Sequence, residues 1–159
     1  MTVPDFVLDL RARVGHAPLW LPGVTAVVLR EGPRGLQVLL VRRADNGHWT
    51  PVTGIVDPGE QPAVAAARET LEEAGVVAEP ERLAAVGVTD EVVYENGDRS
   101  RYLDLTFRFR YVSGQPHPAD GENTDAAWFD LDALPELSAQ MRGRIDAALS
   151  KEPAAAFER

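Results

Sequence analysis

The stretch that most limits what this chain can become is GIVDPGEQPAVAAARETLEEAGV, residues 54–76. It holds one helix with a signal at each end. Pro62 suits the first helical position, where its missing N–H would be unpaired anyway. Gly75 stands where helices commonly end in a left-handed cap. Val64, Ala67, Leu71 and Ala74 recur at i, i+3, i+7 and i+10, which predicts an apolar stripe along a helix over 62–74. At about 100° per residue, Glu69, Glu72 and Glu73 share an arc of roughly 100° on the opposite face. Like charges at that spacing repel. Three carboxylates crowded in this way are either a solvated face or the seat of a divalent cation.

The segments around this helix read as strands. GVTAVVLR (23–30) and LQVLLVRR (36–43) are apolar runs joined by EGPRG, a turn-forming sequence, and Pro18, Pro22 and Gly23 are expected to break the chain before them. RLAAVGVTDEVVYE and DRSRYLDLTFRFRYV flank Asn96-Gly97, a hairpin signal. In the second of these, Tyr102, Asp104, Thr106 and Arg108 alternate with Leu103, Leu105, Phe107 and Phe109, the pattern of a half-buried strand. A polar loop, SGQPHPADGENTD, leads to the short strand AAWFD, and a last helix carries Leu137, Met141, Ile145 and Leu149 on one face. Val3, Phe6, Val7 and Leu10 predict a short amphipathic helix at the start of the chain. Strands around a central helix, with a second helix at the end, predict an α/β sandwich. One domain over 1–151 and a loose tail over 152–159 are expected.

Charge narrows the partners. Against 25 acidic residues stand 16 basic ones, a net charge of −9, with no basic face for a nucleic-acid polymer. No apolar run approaches the roughly 18 residues of a membrane span. The opening MTVPDFVLDLRARVG has no basic leader before an apolar core, so a cytoplasmic protein is expected. The sequence contains no cysteine, which excludes thiolate catalysis and thiolate metal sites.

An isolated R-E-x-x-E-E run is an ordinary solvated helix face. Here Gly54, Glu60, Arg68, Glu69, Glu72, Glu73 and Gly75 fall at fixed intervals, and the whole resembles the Nudix box, G-x5-E-x7-R-E-U-x-E-E-x-G-U, with U aliphatic. Two departures stand out. Thr70 occupies the first aliphatic position, and Trp49-Thr50-Pro51-Val52-Thr53-Gly54 replaces the W-x-L-P-G-G of many relatives.

The resemblance implies a Nudix-type α/β/α sandwich with a mixed sheet, and hydrolysis of a nucleoside diphosphate linked to another moiety. It implies Mg²⁺ or Mn²⁺ held by Glu69, Glu72, Glu73 and the Gly54 carbonyl. Glu72 is a further ligand or the base that deprotonates water, and Arg68 pairs with Glu72 and orients the carboxylates. Glu60 is read as structural, and Gly54 and Gly59 as turn residues. In the polar loop, Glu122 or Asp120 is either an additional base or part of an acidic surface. Tyr94, Arg101 and Tyr102 flank the hairpin turn and are candidates for substrate binding. His16, His48 and His117 show no metal-ligand spacing. Trp49 and Trp128 read as core or rim residues. The partner expected is a small nucleotide, with a homodimer left open. The moiety attached to the nucleoside diphosphate is also open: the proline of ADP-ribose hydrolases is replaced by Glu91 and Val92, while Tyr94 and the W-x-x-V-T-G run point to other subfamilies. The alternative is a non-catalytic ligand-binding or interaction module of the same fold.

Overall fold

In a computed structural model describing residues 3–159, the long apolar run becomes the strand around which the rest is built. After helix α1 (Asp5–Val14), β1 (Leu19–Gly32) pairs in parallel with β7 (Arg99–Ser113) along most of its length. On its other edge β1 pairs antiparallel with β2 (Gly35–Arg43) and with β4 (Val52–Ile55). β5 (Val77–Val88) and β6 (Val92–Val93) pair antiparallel with β7, while β3 (Trp49–Thr50) and β8 (Asn123–Asp130) pair with β2. The sheet is therefore mixed. α2 (Pro62–Ala74) covers one face and α3 (Ala139–Leu149) the other. Successive side chains of β1 divide between these layers, Val24, Ala26 and Val28 toward α2 and Val27 and Leu29 toward α3. A strand buried on both faces must read as a continuous apolar run, which this one does.

Several expectations need correction. Pro22 and Gly23 do not break the chain, because β1 runs through them. β3 and β4 arise between β2 and α2, where no strand was expected. The polar positions of β7 are not solvated: Asp104 and Thr106 are buried beneath α3, where Asp104 accepts hydrogen bonds from Thr25 and Thr106 and faces Arg144 at 3.4 Å. Residues 152–159 are not loose throughout. Ala156 pairs with the edge of β5, donating to the Ala84 carbonyl and accepting from the Val86 N–H, both at 2.9 Å.

The central helix has the expected bounds but a different orientation. Val64 and Leu71, half of the predicted stripe, are 58% and 51% exposed. The buried positions are Ala65, Ala66, Glu69, Thr70, Glu73 and Ala74. The buried face is turned by roughly a third of a revolution from the apolar stripe. Small alanines let the helix lie close to the sheet, and Thr70, whose hydroxyl donates to the Ala66 carbonyl at 2.7 Å, is accommodated without an unpaired polar atom. The consequence for the site is direct. Two of the three glutamates point inward.

Candidate active site

Glu69 and Glu73, one turn apart on α2, are only 4% and 5% exposed, and Glu72 lies at the rim with its side chain about half exposed. Glu69 lies against β4. A Cβ built on Gly54 would come within 2.2 Å of Glu69 Cγ, so any larger residue here would force the Glu69 side chain or β4 to shift. Gly54 does not adopt a positive φ. The expected turn role is replaced by a steric one.

Arg68 organises the outer side. Its Nε and Nη2 donate to the two carboxylate oxygens of Glu60 at 2.9 and 3.0 Å, a bidentate pair. Its Nη1 donates to Glu69 at 3.0 Å and to Glu72 at 3.1 Å, the i, i+4 contact expected from sequence. Glu60 also accepts the Asp57 N–H at 3.2 Å, which ties the turn before α2 to the helix. The structural reading of Glu60 agrees with this geometry. Pairing with Arg68 holds the Glu60 carboxyl below its ordinary range, and the same bond raises the guanidinium of Arg68.

The inner side is built by the loop after β7. The last carbonyls of a helix have no partner within it. Here His117 N–H donates to the Ala74 carbonyl and Ala119 N–H to the Glu73 carbonyl, both at 3.1 Å. This stitching brings the acidic loop back over the end of α2. Glu73, Asp120 and Glu122 each offer a carboxylate oxygen within 4.8 Å of the others. Asn123, the first residue of β8, donates to Glu73 at 3.2 Å. Asn123 was not singled out from sequence; nothing in an asparagine within a polar loop reveals a buried contact 50 residues away.

Burial raises the carboxyls of both Glu69 and Glu73. Arg68 opposes this at Glu69. At Glu73 the Asn123 bond opposes it, but Glu69 and Asp120 add like charge, and the group is pushed up to about 7. Buried carboxylates crowded in this manner are stable as anions only with positive charge among them. Arg68 reaches Glu69 but is shared among three carboxylates. An all-carboxylate oxygen set with no nitrogen or sulfur donor fits a hard divalent cation such as Mg²⁺ or Mn²⁺.

The remaining candidates lie elsewhere. The Tyr94 and Tyr102 hydroxyls bond to one another, and burial, followed by that bond, raises the Tyr94 phenol. Arg101 is exposed on β7. None of the three lines the cavity beside the glutamates, whose walls include Arg68, Glu69, Glu72 and Asp120. His16 pairs with Asp98, and His117 covers Gly75. Trp49 packs edge-on against Phe129, and Trp128 against Tyr111 beneath Arg30.

Residues 20–149 match the NUDIX domain family, and the chain belongs to it. It is 38% identical over 128 residues to the NAD-capped RNA hydrolase NudC of Pseudomonas aeruginosa, an alignment covering 77% of this chain and 43% of that protein. The chain thus spans less than half the length of this curated relative. A MutT-like protein of Streptomyces ambofaciens is 34% identical over 78% of this chain and 73% of its own length. In three dimensions the chain resembles an ADP-ribose pyrophosphatase from Streptococcus suis, with a TM-score of 0.66 at 23% identity over 87% of this chain and 98% of that one. This last likeness bears on the fold, which is the Nudix α/β/α sandwich. Among the described residues no helix is long and apolar enough to cross a membrane.

Proposed function

We propose that this chain hydrolyses a phosphoanhydride bond in a nucleoside diphosphate linked to a second moiety, using Mg²⁺ or Mn²⁺ bound at α2. The observation that carries the reading is the inward orientation of Glu69 and Glu73, both buried, with Glu73 joined by Asp120 and Glu122 from a loop pinned to the same helix. Glu69 and Glu73, with the Gly54 carbonyl, are the ligand set. When bound, the cation neutralises phosphate oxygens and lowers the pKa of coordinated water. Arg68 orients Glu69 and Glu72 while Glu60 holds Arg68 in place. Glu72 and Glu122, less buried than the ligands, are the candidates to take the proton from attacking water. Water adds to one phosphorus, the bridging P–O bond breaks, and two phosphorylated products leave.

The names of the relatives support the substrate class. One relative is named an NAD-capped RNA hydrolase, and the human protein NUDT18, at 33% identity over 70% of this chain, is named an 8-oxo-dGDP phosphatase. The charge of −9 favours a small nucleotide over an RNA chain. A non-catalytic module has no need to keep a full set of crowded glutamates. The test is a screen of ADP-ribose, NAD⁺, NAD-capped RNA and 8-oxo-dGDP with Mg²⁺ or Mn²⁺, measuring release of phosphorylated products. Metal-dependent turnover of a small nucleotide that stops with EDTA is the expected result. No turnover of any of them with either metal would favour the binding module.

A further inference from the structure

A cavity of about 620 Å³, within the size range of small-molecule sites, opens beside the glutamate helix. One of its walls comes from outside the segment that matches the family. Pro4, Asp5 and Phe6, at the start of α1, face Asp57 and Pro58 from the turn before α2 and Arg68, Glu69, Glu72 and Asp120 from the site itself. Phe6 is held from behind, since it is half-buried and packs against the cluster of Val7, Leu21 and Ile55. An aromatic ring fixed in this way loses little freedom when a flat group stacks on it. The charge of the cavity restricts what that group can be. Asp5 and Asp57 add negative charge to the wall, while Arg68, its one cation among the described residues, is engaged by three carboxylates. A second phosphate or a carboxylate would be repelled there. A neutral, planar group bearing N–H or O–H donors fits.

Resting on the proposed hydrolase reading, we infer that α1 supplies a subsite for the nucleoside end of the substrate, with the base stacked on Phe6 between Pro4 and Pro58. Phe6 is then a specificity residue. Stacking a base on an aromatic side chain is worth about tenfold in affinity, with wide spread among proteins.

The test compares binding with turnover. Titration calorimetry of the Mn²⁺-loaded full chain with AMP, GMP and ribose 5-phosphate measures what the base contributes. Both nucleotides are expected to bind about tenfold more tightly than ribose 5-phosphate. Phe6→Leu, which keeps apolar bulk and removes the flat ring, is expected to erase most of that difference while leaving ribose 5-phosphate affinity unchanged and lowering the melting temperature by only a few degrees. On the best substrate of the screen, Phe6→Leu should raise KM about tenfold with kcat within twofold. Equal binding of nucleotides and ribose 5-phosphate by the unaltered chain would overturn the inference, as would a folded Phe6→Leu protein that retains the base preference. Base-dependent binding lost in Phe6→Leu, without turnover of any substrate, would instead overturn the hydrolase reading and leave the subsite standing.

Discussion

The glutamates and the glycine facing them carry the most specific predictions at the scale of single residues. Glu73 is buried, is held by Asn123 and lies with two loop carboxylates. Glu73→Gln keeps the shape and an oxygen for the Asn123 bond but removes a charge, so kcat on the best substrate should fall about 10² or more, the scale of a preorganised electrostatic group. Steady-state kinetics at saturating Mn²⁺ would measure it, and near-normal kcat in a folded variant would remove Glu73 from the site. Gly54→Ala makes a different demand. Its methyl group would overlap Glu69 at 2.2 Å, so either β4 or the carboxylate must move. The expected cost is about 1–3 kcal/mol, typical of overpacking, together with weakened metal binding. A denaturant melt and a Mn²⁺ titration of the same variant test both. Wild-type behaviour in the two would show that the contact is slack.

The helix that was easiest to recognise was also the one whose orientation the sequence disguised. Its ends were legible because Pro62 and Gly75 have backbone preferences that hold in any context, and Gly75 does take the left-handed cap, at φ 66°. Its buried face was not legible, because hydropathy assigns valine and leucine to the interior and glutamate to solvent. Here the close approach to the sheet selects for small size, and two glutamates share the buried face, so both rules fail together. β7 shows the same limit: its polar alternation marked a face correctly, but nothing local indicated that α3 would cover it and pair Arg144 with Asp104. A pair of substitutions tests the orientation of α2. Leu71→Gln, at an exposed position, should change stability by less than about 0.5 kcal/mol. Ala66→Leu, on the buried face, should cost about 1–3 kcal/mol. Chemical denaturation of both would decide it, and the reverse order of costs would restore the apolar stripe as the packed face.

Across the whole molecule, the proposed metal site predicts that the crowded carboxylates couple folding to protons and metal together. The Glu73 carboxyl is raised to about 7 in the fold by burial, with further contributions from Glu69 and Asp120, whereas in an unfolded chain it titrates in the ordinary carboxylate range near 4.5. Between those values the folded state binds more protons than the unfolded one. Stability of the metal-free protein should therefore fall as pH rises through that window, through this group. A divalent cation replaces the proton. It competes best where the carboxyl is ionised, so the stabilisation it adds should grow over the same window in which the metal-free protein weakens. At a hundredfold excess over Kd that stabilisation is about 2.7 kcal/mol. The measurement is a series of thermal melts from pH 5 to 8, in EDTA and in Mn²⁺, for the wild type and Glu73→Gln. The wild type in EDTA should lose Tm toward pH 8 and recover it with Mn²⁺. Glu73→Gln should show a flatter dependence in EDTA, melt no lower than wild type at pH 8, and gain less from Mn²⁺. A variant that melts well below wild type in EDTA at pH 8 would mean that the anionic Glu73 is paired and stabilising without metal. The crowding on α2 would then belong to the fold itself rather than to a bound cation.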